Sequence, residues 1–332
     1  MTKEKYRVGI VKYTDHASLN RIEAGTKNIL AALAEKHGTV IDYEGLVFDG
    51  QADVKRMKEI AIKLVEEKVD LVISIATPPT VAMKDILEAA HINMVFRAVS
   101  DPIRAGVIDS FEHPGEYITG TSDSLDGAEL AEVMLAVMPT VKTVGLLYSR
   151  NEFSSMKPIE EAKAFLESLD IEWVEATPAS KAEVRAAAEE LIVKEVEAVL
   201  TPTDNTVMSA ELEISPVFTA AGIPQFTGSH AFTINGAFMG LGSFYKDGDL
   251  ECQGLVEKVL IDGIKPNDIP VIRSPHTFAA INNQVCEALK FDRESLEARI
   301  TGLGKRTLFL DSQAEFDPDS NLYDVKIITN GV

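Results

Sequence analysis

The sequence has few cysteines, no long apolar segment and far fewer basic than acidic side chains. Its two cysteines, Cys252 and Cys286, lie far apart without CxxC or Cys/His spacing, so neither a metal site nor a disulfide framework is expected. Two inert thiols are the preferred interpretation, and a single disulfide between them is the alternative. No run approaches the roughly eighteen apolar residues of a membrane-spanning helix, and residues 1–6 lead into the first strand without the apolar segment of a signal peptide.

The charge balance and several missing motifs exclude further functions. Acidic residues outnumber basic ones by 52 to 32, a formal charge of −20 that repels phosphate backbones and anionic lipid. Nucleic acid and membrane surfaces are therefore not expected partners. GxGxxG after the first strand, GxxxxGK[ST] and GxSxG are all absent, so dinucleotide-dependent, nucleoside-triphosphate-dependent and serine-hydrolase functions lack support. We expect no catalytic residues, no cofactor and no metal ion.

One short phrase occurs twice, as RVGIVKYTDH at 7–16 and as TVGLLYSRNE at 143–152. After each copy comes a second apolar strand that ends in small polar residues, LVISIATPPT at 71–80 and AVLTPTDNT at 198–206. Alternating strand and helix patterns surround both copies, which predicts two similar α/β lobes, each a doubly wound, Rossmann-like sheet. The length of 332 residues agrees with this, because one core rarely covers so long a chain.

The predicted lobes are discontinuous in sequence. Segment 40–50 is expected to form a single strand and 156–169 a helix, while residues 292–332 match neither lobe. In that last segment, TLFLD and YDVKIIT suit an edge hairpin or a tail. The predicted first lobe is 1–120 plus about 247–273, the second is 121–246 plus about 274–291, and the hinges lie near 119–123, 243–246 and 272–276.

Polar residues follow the predicted strands, at the carboxyl edge where open parallel sheets bind ligands. Because both halves place such residues there, we expect a ligand site in a cleft between the lobes. Tyr13 and Tyr245 suit contact with a ligand side chain, or else core packing. The candidate residues are Tyr13, Asp15, His16, Thr77, Pro78, Ser100, Asp101, Glu152, Ser154, Ser155, Asp204, Asn205 and Tyr245.

These phrases resemble the ABC transporter substrate-binding proteins of the tryptophan/tyrosine-binding type, which have the type I periplasmic-binding-protein fold. The resemblance covers about residues 6–290 and depends on the order and spacing of YTDHASLN, ATPPT, AVSDP, TGTSD, GLLYSRNEFSS and TDN. It implies a non-enzymatic protein that closes two lobes over a small zwitterionic solute, an aromatic or apolar amino acid, and hands it to a membrane permease. It also implies a monomer, located in the periplasm or as an extracytoplasmic lipoprotein if a leader was removed, and otherwise in the cytoplasm.

The resemblance assigns roles that compete with structural ones. Thr77 and the amides behind it suit an α-carboxylate at a helix N-terminus, or Thr77 is only an N-cap. Glu152 and Asp204 suit the ammonium group of the ligand. The alternative for Glu152 is an exposed, solvated position, and the alternative for Asp204 is an Asx turn. Asn is usual in the family where Ser154 stands, so this chain has lost one side-chain amide near the expected ligand.

Other candidates depart further from the family. Asp15 stands where Ser is usual and suits a more cationic or polyhydroxylated ligand, or it caps the helix that follows. His16 is expected to orient a hydrogen bond rather than to act as a base or a metal ligand. Ser100 and Asp101 have a turn as their default interpretation.

Two other functions stay open at this point. One is a ligand-sensing lobe of a signalling system that does not transport its ligand. The other, with less support, is an enzyme on the same α/β architecture. The fold cannot separate them, because function belongs to the site.

Overall fold

The computed structural model describes residues 3–242 and 245–311. Within this part the chain folds into two compact units. The first unit contains the described residues up to 124 and the segment 245–274, and the second contains 125–242 and 275–311. The chain thus changes unit after residue 124, between residues 242 and 245, and after residue 274.

Strands and helices alternate through both units. The first unit begins with β1 Lys5–Lys12, α1 Ala17–His37, β2 Val40–Asp42, β3 Val47–Asp49, α2 Val54–Glu66, β4 Leu71–Ile75, α3 Thr77–Ala89, β5 Asn93–Arg97 and β6 Ile118–Ser122. The second unit continues with α4 Gly127–Val137, β7 Thr143–Leu147, α5 Phe153–Glu167, β8 Glu172–Ala176, α6 Lys181–Val193, β9 Ala198–Thr201, α7 Asn205–Met208, α8 Glu211–Ala221, β10 Gln225–Thr227, α9 His230–Ile234 and β11 Met239–Gly242. Helix α10 Tyr245–Val256 and strand β12 Ile272–Arg273 complete the first unit, and β13 Phe278–Asn282, α11 Asn283–Ala288, α12 Arg293–Gly302 and β14 Arg306–Leu310 complete the second.

The first unit has a parallel sheet in the order β12-β6-β5-β4-β1-β2, with β3 also paired to β1. Its strands are apolar on both faces because helices cover both. Val8 and Ile10 of β1 pack on the side of α1 and α10, whereas Val11 packs on the side of α2 and α3. This is the doubly wound arrangement that the alternating sequence pattern predicts.

The second unit repeats the arrangement with the order β14-β13-β11-β10-β9-β7-β8. The pairing of β11 with β13 is antiparallel, and the other pairings are parallel. One core cluster lies under α4, α5 and α12, and another lies under α6 and α8 on the opposite face. Helices α4 and α5 approach so closely that a Cβ atom on Gly127 would lie 1.7 Å from the Pro158 carbonyl oxygen, so only glycine fits there.

Strand register shows that the two units share one layout. In the first unit Val8 of β1 lies opposite Leu71 of β4, and in the second Val144 of β7 lies opposite Ala198 of β9. The repeated Val-Gly phrases therefore occupy equivalent strands, and the strands paired with them are equivalent too. The prediction of two similar α/β lobes is confirmed.

Several predicted element boundaries are wrong. Segment 40–50 forms two short strands, because a turn at Tyr43 to Leu46, with Gly45 at φ +69°, interrupts it. Helix α5 begins at Phe153, three residues before the predicted start at 156. Residues 293–310 do not stand apart from the lobes: α12 packs on α4, and β14 extends the second sheet beside β13. The stretch YDVKIIT lies outside the described residues.

Both cysteines are free and buried, Cys252 in the first unit and Cys286 in the second. Burial raises the pKa of each thiol. A buried thiol that resists ionisation is a poor nucleophile, which agrees with the interpretation of both as inert.

A buried ion cluster links three elements of the first unit. The Arg97 guanidinium at the end of β5 donates to Asp249 Oδ1 at 2.6 Å and to Thr26 Oγ1 at 2.8 Å. Arg21 of α1 donates to the second Asp249 oxygen at 3.1 Å. A Cβ atom on Gly25 would lie 2.3 Å from Asp249 Oδ1, so the helix needs glycine where α10 meets α1. Asp249 thus anchors α10, the helix with which the chain re-enters this unit.

The second unit contains a buried carboxyl group with no cationic partner among the described residues. Glu211 is 1 % exposed, and its Oε2 atom accepts from Gln225 Nε2 at 3.3 Å. Glu211 Oε1 and Gln225 Oε1 are buried and form no hydrogen bond with the described residues. Burial raises the pKa of Glu211 well above its ordinary value, so this acid keeps its proton to a higher pH than an exposed glutamate does.

Glu211→Gln should therefore make the second unit less sensitive to alkaline pH. The folded protein keeps a proton that the unfolded chain loses above the ordinary Glu pKa of 4.5, so the free energy of unfolding falls as pH rises from there toward the raised folded pKa. The slope is at most about 1.4 kcal/mol per pH unit. Urea titrations across this pH range should show a flatter profile for Glu211→Gln, whereas Glu213→Gln, at a half-exposed position on the same helix, should follow the wild type. Identical profiles for all three proteins would show that Glu211 is ionised.

Candidate functional site

Glu152, at the carboxyl edge of the second unit's sheet, is the N-cap of α5 and is only 2 % exposed. Its carboxylate extends to the start of α7. Oε2 accepts from Asn205 N at 3.0 Å and from Asn205 Nδ2 at 2.7 Å, while Oε1 accepts from Thr206 N at 2.6 Å and from Thr206 Oγ1 at 2.8 Å. A fifth and longer bond comes from Ser154 Oγ to Oε2 at 3.4 Å. Glu152 is therefore not a solvated surface residue.

Asp204, the N-cap of α7, lies beside it and is 1 % exposed. Oδ1 accepts from Val207 N at 2.9 Å, and Oδ2 accepts from Ser149 N at 2.7 Å and from Ser155 Oγ at 2.6 Å. Burial, and after it the negative charge of Glu152, raises the pKa of Asp204 to about 8. The turn interpretation of Asp204 is confirmed by the Val207 bond, which caps α7.

Together the two carboxylates satisfy the first amides of α7. Glu152 binds the amides of Asn205 and Thr206, and Asp204 binds that of Val207. These two carboxyl groups join the loop after β7 to the loop after β9. Thr206 and Ser149 also belong to this cluster, but the sequence analysis did not select them. Both donate through backbone N–H groups, which every residue type except proline has. That either carboxylate accepts a ligand ammonium stays a prediction.

The first turn of α5, by contrast, keeps unpaired amides. Glu152 N donates to Ser149 O at 3.2 Å and Ser155 N donates to Glu152 O at 3.2 Å, but Phe153 N and Ser154 N meet no acceptor among the described residues. The α5 helix has 15 residues, so its dipole adds to the positive potential at these two groups. The phenyl ring of Phe153 is 56 % exposed beside them. This turn can accept a carboxylate.

In the first unit, α3 begins after a constrained residue, Ala76, with φ +84° and ψ 163°. Ala76, not Thr77, is the N-cap, and its amide donates to Arg97 O at 3.0 Å. Pro78 and Pro79 have no N–H group, and Thr77 N meets no acceptor among the described residues. Thr77 is 3 % exposed, and its hydroxyl forms no hydrogen bond with the described residues. The expectation of several amides behind Thr77 is therefore wrong.

The two units differ at the position of Glu152 and at the positions of the amides that bind its carboxylate. His16 and Glu152 are equivalent positions in the two copies of the repeated phrase, and each is the N-cap residue of the helix that follows. The His16 side chain caps α1, whereas the Glu152 side chain binds α7 instead of α5. Where the second unit has Asn205 and Thr206, whose amides bind Glu152, the first has two prolines. The unit without the carboxylate thus also lacks the amides that would bind it.

Asp15 and His16 lie at the end of β1 in the first unit. His16 Nδ1 accepts from Leu19 N at 3.4 Å, so His16 caps α1 and the proposed cap by Asp15 is wrong. The Asp15 side chain is 74 % exposed and accepts from Asn20 Nδ2 at 2.6 Å, with Lys12 Nζ at 3.6 Å. The Asn20 bond is the main cause that lowers the pKa of Asp15.

Ser100 and Asp101 follow β5. Asp101 Oδ1 accepts from Arg104 N at 3.1 Å, which confirms the turn interpretation for Asp101. Ser100 Oγ donates to Asp123 Oδ1 at 3.2 Å, a contact with the segment after β6. Binding of a ligand by either residue stays a prediction.

Of the two candidate tyrosines, the structure describes the side chain of Tyr13 alone. Tyr13 is partly buried and packs against the apolar cluster beneath α1. Tyr245 begins α10, and its side chain lies outside the described structure. For Tyr13 the core interpretation is thus supported, and contact with a ligand stays a prediction for both.

Two units of this topology, with polar groups at the carboxyl edge of each sheet, define a solute-binding protein of type I periplasmic-binding-protein fold. The chain belongs to the family of ABC transporter substrate binding proteins, which it matches over residues 7–295. It is 28 % identical over 298 residues to a tyrosine-binding protein of Clostridioides difficile, a match that covers 89 % of this chain and 84 % of that protein.

Solved structures agree with this assignment. An ABC domain from Streptococcus pneumoniae in complex with L-Trp superposes with a TM-score of 0.80 at 25 % identity, covering 91 % of this chain and all of that one. A conserved domain protein from Vibrio cholerae has the same TM-score and identity over 94 % of this chain and all of its own. No helix in the described part combines the length and apolarity needed to cross a bilayer. In the same residues, no group of three or more His, Cys, Asp or Glu side chains is placed to hold a metal ion.

Proposed function

We propose that this protein captures an aromatic amino acid for an ABC importer and releases it chemically unchanged. The observation that carries the proposal is family membership over residues 7–295. The L-Trp in the pneumococcal structure and the name of the clostridial relative support an aromatic side chain in the ligand. The importer's permease is then the protein partner. We further propose that the chain works as a monomer on the extracytoplasmic side of the membrane.

The second unit supports a recognition mode for the charged groups of the ligand. An α-carboxylate suits the unpaired amides of Phe153 and Ser154, because both lie at the positive end of α5. The ammonium group suits Glu152, the residue that directly precedes this turn. The Ser154 hydroxyl, at 3.4 Å from Oε2, is the weakest of the five donors to Glu152 and is neutral, so an ammonium can displace it. In the first unit, Thr77 N and Oγ1 offer further polar contacts.

Addition of L-tryptophan or L-tyrosine should raise the melting temperature of the protein and release or absorb heat in calorimetry. At a ligand concentration one hundred times the dissociation constant, the stabilisation is about 2.7 kcal/mol. N-acetyl-L-tryptophan lacks the ammonium group and L-tryptophanamide lacks the carboxylate, so both should bind far more weakly. The products recovered should be unaltered. If the twenty amino acids produce neither a thermal shift nor heat, the proposed function is wrong.

A further inference from the structure

The side chain of Phe153, at the carboxyl edge of the second unit's sheet, does not contribute to either apolar core. Phe153 is 56 % exposed, and every other large hydrophobic side chain of comparable exposure in the described residues is aliphatic. It belongs to no apolar cluster of either unit. Its neighbours Glu152 and Ser154 are 2 % and 5 % exposed, so an open ring stands between two buried polar groups.

Local folding does not require an aromatic residue here. Phe153 is the first residue of α5, a position that needs neither an aromatic ring nor a β-branched side chain. The turn is closed by the bond from Ser155 N to Glu152 O at 3.2 Å, which does not involve the ring. A phenyl ring that is open to water gains stabilisation when it contacts another apolar surface.

We infer that Phe153 is the residue that selects an aromatic side chain in the bound amino acid. The inference depends on the proposed function. The amide of Phe153 and its ring belong to one residue, so a solute whose carboxylate meets that amide has its side chain within reach of the ring. Two aromatic rings in offset or edge contact gain stabilisation beyond the area they bury, which a leucine side chain in the solute does not. The ring thus discriminates between solutes that share the same charged groups.

The experiment compares Phe153→Ala and Phe153→Trp with the wild type by calorimetry against L-tryptophan and L-leucine. Phe153→Ala should weaken binding of L-tryptophan about tenfold, which corresponds to about 1.4 kcal/mol, with a smaller effect on L-leucine. Phe153→Trp should restore the preference. Val193→Ala, at the 80 % exposed last residue of α6, is the control and should bind as the wild type does. Because the ring packs against no core cluster, the melting temperature of ligand-free Phe153→Ala should stay close to that of the wild type.

The possible outcomes distinguish a failure of this inference from a failure of the proposed function. If the wild type binds L-tryptophan and Phe153→Ala binds it equally tightly, the inference is overturned while the proposed function stands. If affinity for L-leucine falls as much as that for L-tryptophan, Phe153 does not select aromatic solutes. A wild-type protein that binds no amino acid overturns both proposals.

Discussion

Glu152→Ala should destabilise the second unit and also abolish most amino-acid binding. The substitution leaves the amides of Asn205 and Thr206 without an acceptor at the start of α7. Buried donors that lose a charged partner cost about 1–3 kcal/mol each, so we expect the free energy of unfolding to fall by about 3 kcal/mol. Loss of the negative charge also removes the proposed ammonium partner, which should weaken binding by at least about tenfold.

Chemical denaturation and calorimetry on the same preparations separate the two effects of this change. Glu152→Gln should recover part of the stability, because its amide oxygen still accepts from one side of the α7 turn, but it should not recover affinity. Glu189→Ala removes a half-exposed carboxylate that pairs with Arg185 on α6, and it should change the free energy of unfolding by less than about 1 kcal/mol. Wild-type stability in Glu152→Ala would contradict the capping role, and wild-type affinity in Glu152→Gln would contradict the ammonium role.

Asp249→Ala should destabilise the first unit by about 3–5 kcal/mol, the usual cost of removing one partner from a buried ion pair. The side chain of Arg97 is 4 % exposed and that of Arg21 is 11 % exposed, so neither guanidinium can recover full hydration. Arg97 keeps its bonds to Thr26 Oγ1 and to the Ile22 carbonyl, but both acceptors are neutral. The contact between α10 and α1 should therefore loosen.

Urea denaturation of the ligand-free protein checks this expectation. Asp249→Asn should fall between the alanine variant and the wild type, because its amide keeps an acceptor but not the charge. Glu59→Ala is the exposed control: Glu59 lies 3.8 Å from Lys55, their side chains are 64 % and 86 % exposed, and its removal should cost less than about 1 kcal/mol. A loss that small in Asp249→Ala would show that the two arginines find other partners.

Much of the fold follows from short-range patterns in the chain. The repeated Val-Gly phrase and the alternation of apolar strands with amphipathic helices predicted two doubly wound lobes, because each pattern reports how many faces of an element are buried. The same patterns misplaced 292–311. The TLFLD stretch is short, and its place beside β13 depends on a partner distant in sequence. A window of neighbouring residues contains no information about such a pairing.

The candidate site was predicted as a set of residues but not as a set of interactions. Strand ends located Glu152, Asp204 and Thr77 correctly, because polar residues after an apolar run mark the carboxyl edge of a sheet. The partners of these residues are largely backbone amides, and any residue type except proline carries one. That Glu152 binds the first turn of α7, or that Thr77 follows the N-cap, could not be derived from residue types.

Composition, the internal repeat and the positions of the strand ends are properties of the linear chain. The class of protein, its fold and the sheet edge at which we propose the site were derived from them. Which acceptors are already occupied is a property of the folded chain. The sequence suggested Glu152 and Asp204 as ammonium acceptors, with a solvated surface position and an Asx turn as the alternatives. In the fold both cap α7, while the amides of Phe153 and Ser154 meet no acceptor among the described residues. The reason is physical: a hydrogen bond depends on distances of about 3 Å between groups, and only folding brings together groups more than fifty residues apart in the chain.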